Sequence, residues 1–136
     1  MIEWSEEMSV GIADIDRDHQ AFVCMVNRFN TYPRLGASRE EMRRMLADLV
    51  SYAENHFVRE EAYMRRAGYP DLAGHIAGHD AAAAKIHDLL IRNVDEIELA
   101  RFLGNFLEAW LVGHILGEDW AFGEWLRATQ SVERCT

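Results

Sequence analysis

Five of the six histidines in this chain occur where an imidazole could bind metal. His56 and Glu60 are four residues apart, as are His75 and His79. In a helix, residues so spaced share a face, with Cβ atoms about 5–6 Å apart. His19 and His114 each fall on a further apolar stripe, and Asp119 adds a second carboxylate. Burying such groups is costly unless they are paired or bound to a metal. Four inward stripes, each with a candidate ligand, point to one metal site inside a helical bundle. The donor set narrows the metal. Five imidazoles and two carboxylates exceed the four ligands of a structural zinc. Cys24 and Cys135 lack metal-type spacing, which removes iron–sulfur clusters and soft copper sites. Calcium and magnesium favour oxygen ligands. A nitrogen-rich set with carboxylates able to bridge suits a pair of iron ions. His87 lies off the stripes and is expected at the surface.

These residues need helices to carry them. Residues 1 to about 14 read as an extended arm, with Trp4 and Met8 or Val10 able to lie on the body. The first helix is expected near Asp14 or Asp16, either of which can cap it. Ile15, His19, Phe22, Val26 and Phe29 then recur at three- and four-residue spacing. Thr31-Tyr32-Pro33 and Gly36 should end it. Ser38 with Glu41 reads as a capping box for the second helix. Its stripe is Met42, Met45, Leu49, Ala53, His56, Glu60 and Met64, with Gly68 as the closing glycine and Pro70 beyond. The third helix should begin at Pro70 or Asp71 and present Leu72, His75, His79, Ala82 or Ala83, Ile86 and Leu90, until Asn93 breaks it. Asp95 and Glu98 form a second capping box, opening a stripe of Ala100, Leu103, Leu107, Trp110 and His114. A further helical piece is expected from Asp119 to about Arg127. His114 and Asp119 pose a problem, because five residues is about 140° around an ideal helix. Asp119 reaches the site only if the helix bends or ends between them, and Gly117 is well placed for that. There is no alternating β pattern and no repeat. The expected fold is all-α: an up-down-up-down four-helix bundle with an N-terminal arm and a short C-terminal helical extension, as a single domain over residues 1–136.

A chain of 136 residues suits one domain that needs no disulfide to fold. Fourteen basic against twenty-three acidic residues give a net charge of −9, which argues against nucleic acid or an anionic membrane surface as partner. The longest apolar stretch, Phe102 to Gly117, contains Asn105, Glu108 and His114 and is too short and polar to span a bilayer. No basic segment followed by an apolar run opens the sequence. Cys24, among Phe22, Val23, Met25 and Val26, reads as a small core residue. Nothing demands an oxidising compartment, so a soluble cytoplasmic protein is expected.

The chain resembles the hemerythrins, in particular their single-domain bacterial members. The resemblance rests on Val10-Gly11-Ile12 leading to Asp16-x-x-His19, and on His56-Phe57-x-x-Glu60-Glu61. It continues in Gly68-Tyr69-Pro70 before His75-x-x-x-His79, and in Trp110-Leu111-x-x-His114-Ile115-x-x-x-Asp119. It implies two non-haem iron ions as cofactor. One would be held by His75, His79 and His114, the other by His19 and His56, with Glu60, Asp119 and an oxo or hydroxo group bridging. It implies reversible dioxygen binding for storage or delivery, not an enzyme. Phe57, Trp110, Leu111 and Ile115 would form an apolar oxygen pocket. An oxygen-consuming protein would be the receiving partner. Asp16 could orient an imidazole or cap its helix, Trp4 could pack near the pocket, and Glu61 is expected to be solvated. Gly113 departs from the Asn common there in the family and could loosen the fourth helix. Alternative functions are a redox or oxygen sensor signalling through the arm, or a nitric oxide or peroxide reductase. A ferritin-like oxidase is disfavoured, because Glu-x-x-His is absent.

Overall fold

The computed structural model describes residues 2–31, 36, 38–91 and 96–135. Each apolar stripe becomes a helix: α1 Ala13–Thr31, α2 Arg39–Ala67, α3 Leu72–Ile91 and α4 Glu96–Gly113. A six-residue π-helical turn, His114–Asp119, joins α4 to α5, Trp120–Cys135. Helix α1 packs on α2 and α4, and α3 packs on the same two. The four therefore form a ring in chain order, the up-down-up-down arrangement that short connections favour.

Local chemistry sets the boundaries. The Ser38 hydroxyl accepts from the Glu41 amide and the Glu41 carboxylate accepts from the Ser38 amide, a complete capping box. At the other end of α2, Gly68 takes φ 74°, and the amides of Gly68 and Tyr69 return to the carbonyls of Arg65 and Met64. The carbonyl of Asp71 accepts from the His75 amide and starts α3. The breaks expected at Tyr32-Pro33 and Asn93, and the capping box expected at Asp95, lie outside the described residues. Helix α5 runs to Cys135, well past the expected end at Arg127. Residues 128–135 contain neither proline nor glycine to stop it.

The core has two parts. The larger contains Phe22, Val26 and Phe29 of α1, Leu49, Ala53 and Phe57 of α2, and Leu103, Leu107 and Leu111 of α4. The smaller joins Val10, Ile12, Ile15, Met64 and Phe122. Along α1, α2 and the π-helical turn, the candidate ligands lie between residues of the two clusters, so the polar layer is closed above and below by apolar side chains. The arm runs alongside α1 and joins both clusters, Ile2 and Met8 in the larger and Val10 and Ile12 in the smaller. A 3₁₀ turn, Glu6–Met8, interrupts it, and Met8 and Val10 are buried. Ile2 exchanges two hydrogen bonds with the Asn27 side chain, at 2.9 and 2.7 Å. Asp16 accepts from Ser9 Oγ at 2.6 Å and from the Val10 amide at 2.8 Å. Its carboxylate thus pins the arm, in place of the expected cap or imidazole contact. Cys24 is exposed, not in the core. Phe22, Val23 and Val26 take the inward arc of α1 and turn Cys24 outward. His87 is exposed, as expected. No helix among the described residues is long and apolar enough to cross a membrane.

Candidate metal centre

Seven polar side chains are buried among the described residues: His19, His56, Glu60, His75, His79, His114 and Asp119. Helix α1 supplies His19, α2 His56 and Glu60, α3 His75 and His79, and the π-helical turn His114 and Asp119. That turn resolves the five-residue spacing. Its wider winding brings Asp119 round to the face of His114 without a break. Gly113 and Trp120, on either side, have ordinary helical angles. The expected bend at Gly117 is therefore replaced by a continuous helix, and Gly113 sits in regular helical geometry.

The seven side chains divide into two overlapping sets. Glu60, His75, His79, His114 and Asp119 offer donor atoms all within 4.8 Å of one another, and so do His19, His56, Glu60 and Asp119. Each carboxylate serves both sets with different oxygens. Glu60 Oε1 lies 2.6 Å from His75 Nε2, 3.2 Å from His79 Nε2 and 3.4 Å from His114 Nε2. Its Oε2 lies 3.3 Å from His19 Nε2 and 3.1 Å from His56 Nε2. Asp119 Oδ1 is 3.0 Å from both His75 Nε2 and His114 Nε2, while Oδ2 is 2.9 Å from His19 Nε2.

The donors are close, yet several are not bonded to one another. Among the described residues, His56 Nε2 and both Asp119 oxygens are buried without a hydrogen-bond partner of correct geometry. His79 Nε2 and His114 Nε2 approach to 3.0 Å. Buried polar atoms left in this state are costly unless something else satisfies them. Donors about 2.1 Å from a shared first-row ion and at right angles to one another stand about 3 Å apart. The spacing and the orphaned atoms both fit two cations sharing two carboxylates. The donor types suit iron, as imidazole and carboxylate do together.

Without metal, protons take the place of cations. Burial disfavours a charged imidazole, but the carboxylates of Asp119 and Glu60 outweigh it. They raise His19 and His75 to about 9 and His114 to about 10. Burial likewise pushes Glu60 up, yet the surrounding imidazoles, His114 foremost, hold it well below the usual carboxylate range. Asp119 is also lowered: His114, His19 and His75 prevail over burial and the charge of Glu60.

A second ring of carboxylates meets the outward nitrogens. Asp18 Oδ2 lies 3.2 Å from His56 Nδ1, Glu61 Oε2 lies 3.4 Å from His79 Nδ1, and Glu118 Oε2 lies 3.1 Å from His114 Nδ1. Glu61 is thus drawn against an imidazole, contrary to its expected solvation. Asp18 was not legible as a contact. Its neighbour Asp16 has the family spacing, whereas Asp18 meets residues 34 to 41 positions away.

The aromatic side chains lie mainly over the five-donor set. Phe57 stacks on His79 with ring centroids 4.0 Å apart, and Trp110 stacks on His114 at 4.5 Å. Phe57 also meets Trp110 edge-on at 5.5 Å and leans on His56 at 6.0 Å. Leu111 and Ile115 are fully buried in the larger core, as is Phe22, whose ring is edge-on to His56 at 6.4 Å. Phe22 was missed as a wall residue. Its signal was its place three residues after His19 on the same stripe.

Residues 10–126 match the family described as Hemerythrin HHE cation binding domain. The chain is similar to a bacteriohemerythrin of Methylococcus capsulatus, with 31% identity over 94% of this chain and 98% of the relative. It is also similar to bacteriohemerythrins of Pseudomonas aeruginosa (30% identity) and Stenotrophomonas maltophilia (27%), each over 94% of this chain and 83% of the relative. An all-α bundle, a buried layer of five imidazoles and two shared carboxylates, and a family match across most of its length agree: this chain belongs to the hemerythrin family, whose members bind dioxygen at a di-iron centre.

Proposed function

We propose that this protein binds dioxygen reversibly at a non-haem di-iron centre, for storage or delivery, and is not an enzyme. His75, His79 and His114 would hold one iron and His19 and His56 the other, with Glu60 and Asp119 shared. The observation that carries this reading is the inequality of the two donor sets, five against four, around the same two carboxylates. The poorer set leaves room for a small ligand. Two ferrous ions held there would supply the two electrons that oxygen binding borrows and release returns. Every other contribution comes from the chain. The five imidazoles and two carboxylates are fixed from four helices, so little reorganises when charge moves. Phe57, Trp110, Leu111 and Ile115, with Phe22, would form an apolar wall that keeps out water and stray protons. No lysine and no further buried acid or base stands among the buried side chains of the described residues to drive turnover chemistry. The exposed free thiol of Cys24 suits the reducing cytoplasm, where we place the protein.

The test is a visible spectrum of the reduced, iron-loaded protein before air, after air, and after oxygen is removed again. A charge-transfer band that appears and then disappears, with two irons per chain, is the expected result. Direct and irreversible conversion to the ferric spectrum would overturn the carrier reading in favour of a sensor or a reductase.

A further inference from the structure

Beyond the family's metal ligands, the geometry points to Asp18 as the positioning residue of the four-donor set: it fixes the His56 ring from behind, and Arg59 and Tyr52 in turn fix Asp18. This rests on the reading that His56 is a ligand. Tyr52, His56 and Arg59 recur at four- and three-residue spacing, so α2 presents three donors along one face. All three converge on one carboxylate of α1. Arg59 Nε donates to Asp18 Oδ2 at 2.9 Å, and His56 Nδ1 meets the same oxygen at 3.2 Å. The Tyr52 hydroxyl donates to Oδ1 at 3.2 Å and lies 3.3 Å from the Asp18 carbonyl oxygen. The Arg59 guanidinium sits over the Tyr52 ring, 5.8 Å from its centroid, which closes the cluster.

Two consequences follow for the imidazole. A proton on Nδ1, donated to Asp18, leaves the Nε2 lone pair facing the centre, the form a cation needs. The ring plane is also fixed between α1 and α2. Among the described residues no comparable contact exists for His19, whose Nδ1 is buried there without a partner. Among the described residues, Asp18 therefore carries the outer hydrogen bonding of this set alone. On the five-donor side the task is split between Glu61 and Glu118, and the Glu118 side chain is 52% exposed, against 18% for Asp18. Asp18 also precedes His19 in the chain, so one turn of α1 carries a ligand and the residue that orients its neighbour. Loss of Asp18 should weaken one iron and spare the other.

The experiment is an anaerobic titration of the metal-free protein with ferrous ion, followed by calorimetry. Outer partners of ligand histidines typically contribute 10–100-fold in metal affinity. In D18A, one iron is expected to bind as in the wild type and the second about 10–100-fold more weakly. In D18N, which keeps an acceptor for His56 but no charge, the same iron weakens by a smaller factor. R59Q should weaken that iron too, and should add nothing in the D18A background, because Arg59 acts through Asp18. Wild-type affinities for both irons in D18A and D18N would overturn the inference. So would an equal weakening of both irons, which marks a merely structural residue. If D18A does not fold, D18N and R59Q decide by the same criteria. A wild-type protein that takes up fewer than two irons would instead overturn the ligand assignment, and this inference with it. The readout involves no oxygen, so it is independent of the carrier reading.

Discussion

Glu60 is the residue on which the centre depends most. It is fully buried and faces all five imidazoles, three with one oxygen and two with the other. Substituting Glu60→Gln keeps the shape and removes the charge. Iron content should fall from two per chain to well below one, measured by metal analysis after anaerobic loading. The metal-free variant should also lose on the order of 3–5 kcal/mol at pH 6.5 in urea unfolding, as when one partner of a buried ion pair is removed. Two irons per chain in this variant would show that Glu60 is not shared between the sites. At this scale the sequence was legible where the residue types admit few explanations. A carboxylate or imidazole on an apolar stripe must be paired or ligated, and all seven such residues are buried together. Asp18 and Glu61 were not legible as neighbours of the centre. Nothing about an acidic residue on the flank of a helix reveals which imidazole of another helix it will meet.

Among the elements, the helices could be read from the sequence and the π-helical turn could not. Ser38, Glu41 and Gly68 announce the ends of α2 because their side chains, or the lack of one, act on the adjacent backbone. The π-helical turn has no such local signature. The sequence signals it only as a conflict, five residues between two groups that must share a face. Gly117 suggested a break, yet the backbone there stays helical, and a Cβ at Gly117 would meet nothing within 4 Å. Gly117→Ala should therefore leave iron binding unchanged and stabilise the helix by roughly 0.5–1 kcal/mol. Gly123, one turn into α5, provides the contrast. A Cβ there would stand 2.3 Å from the Val10 carbonyl oxygen, which is backbone and cannot turn aside. Gly123→Ala should cost roughly 1–3 kcal/mol and loosen the arm, raising the proteolysis rate near Ser9. Thermal unfolding of the two variants side by side checks both. A loss of iron from Gly117→Ala would mean that the glycine, and not the π-turn, brings Asp119 into place.

For the whole molecule, metal and protons compete for the same interior. The metal-free bundle neutralises two buried carboxylates with protonated imidazoles: His19 and His75 raised to about 9, His114 to about 10. In the unfolded chain a histidine titrates near 6.5. Between these values the folded state binds more protons than the unfolded one, so stability falls as pH rises. The contribution is fully present below about pH 6.5 and gone once the pH passes 9 to 10. The carboxylates act in the opposite sense. Glu60 and Asp119 are lowered, so their contribution holds above the ordinary carboxylate range and is lost as pH falls below it. The metal-free protein should thus be most stable near pH 5–6.5 and lose roughly 10 °C in melting temperature by pH 9.5, the equivalent of a few kcal/mol in a domain of this size. Bound cations replace those protons, so the iron-loaded protein should show little of this loss. Anaerobic loading near pH 7.5 should release about three protons per chain, because ligand imidazoles must be neutral. Calorimetry in two buffers of different ionisation heat counts them. A metal-free melting temperature that is flat from pH 6.5 to 9.5, together with no proton release, would mean that the imidazoles are already neutral. The buried carboxylates would then be held by the bundle without counter-charge, and charge neutralisation by metal would not be what this interior is built around.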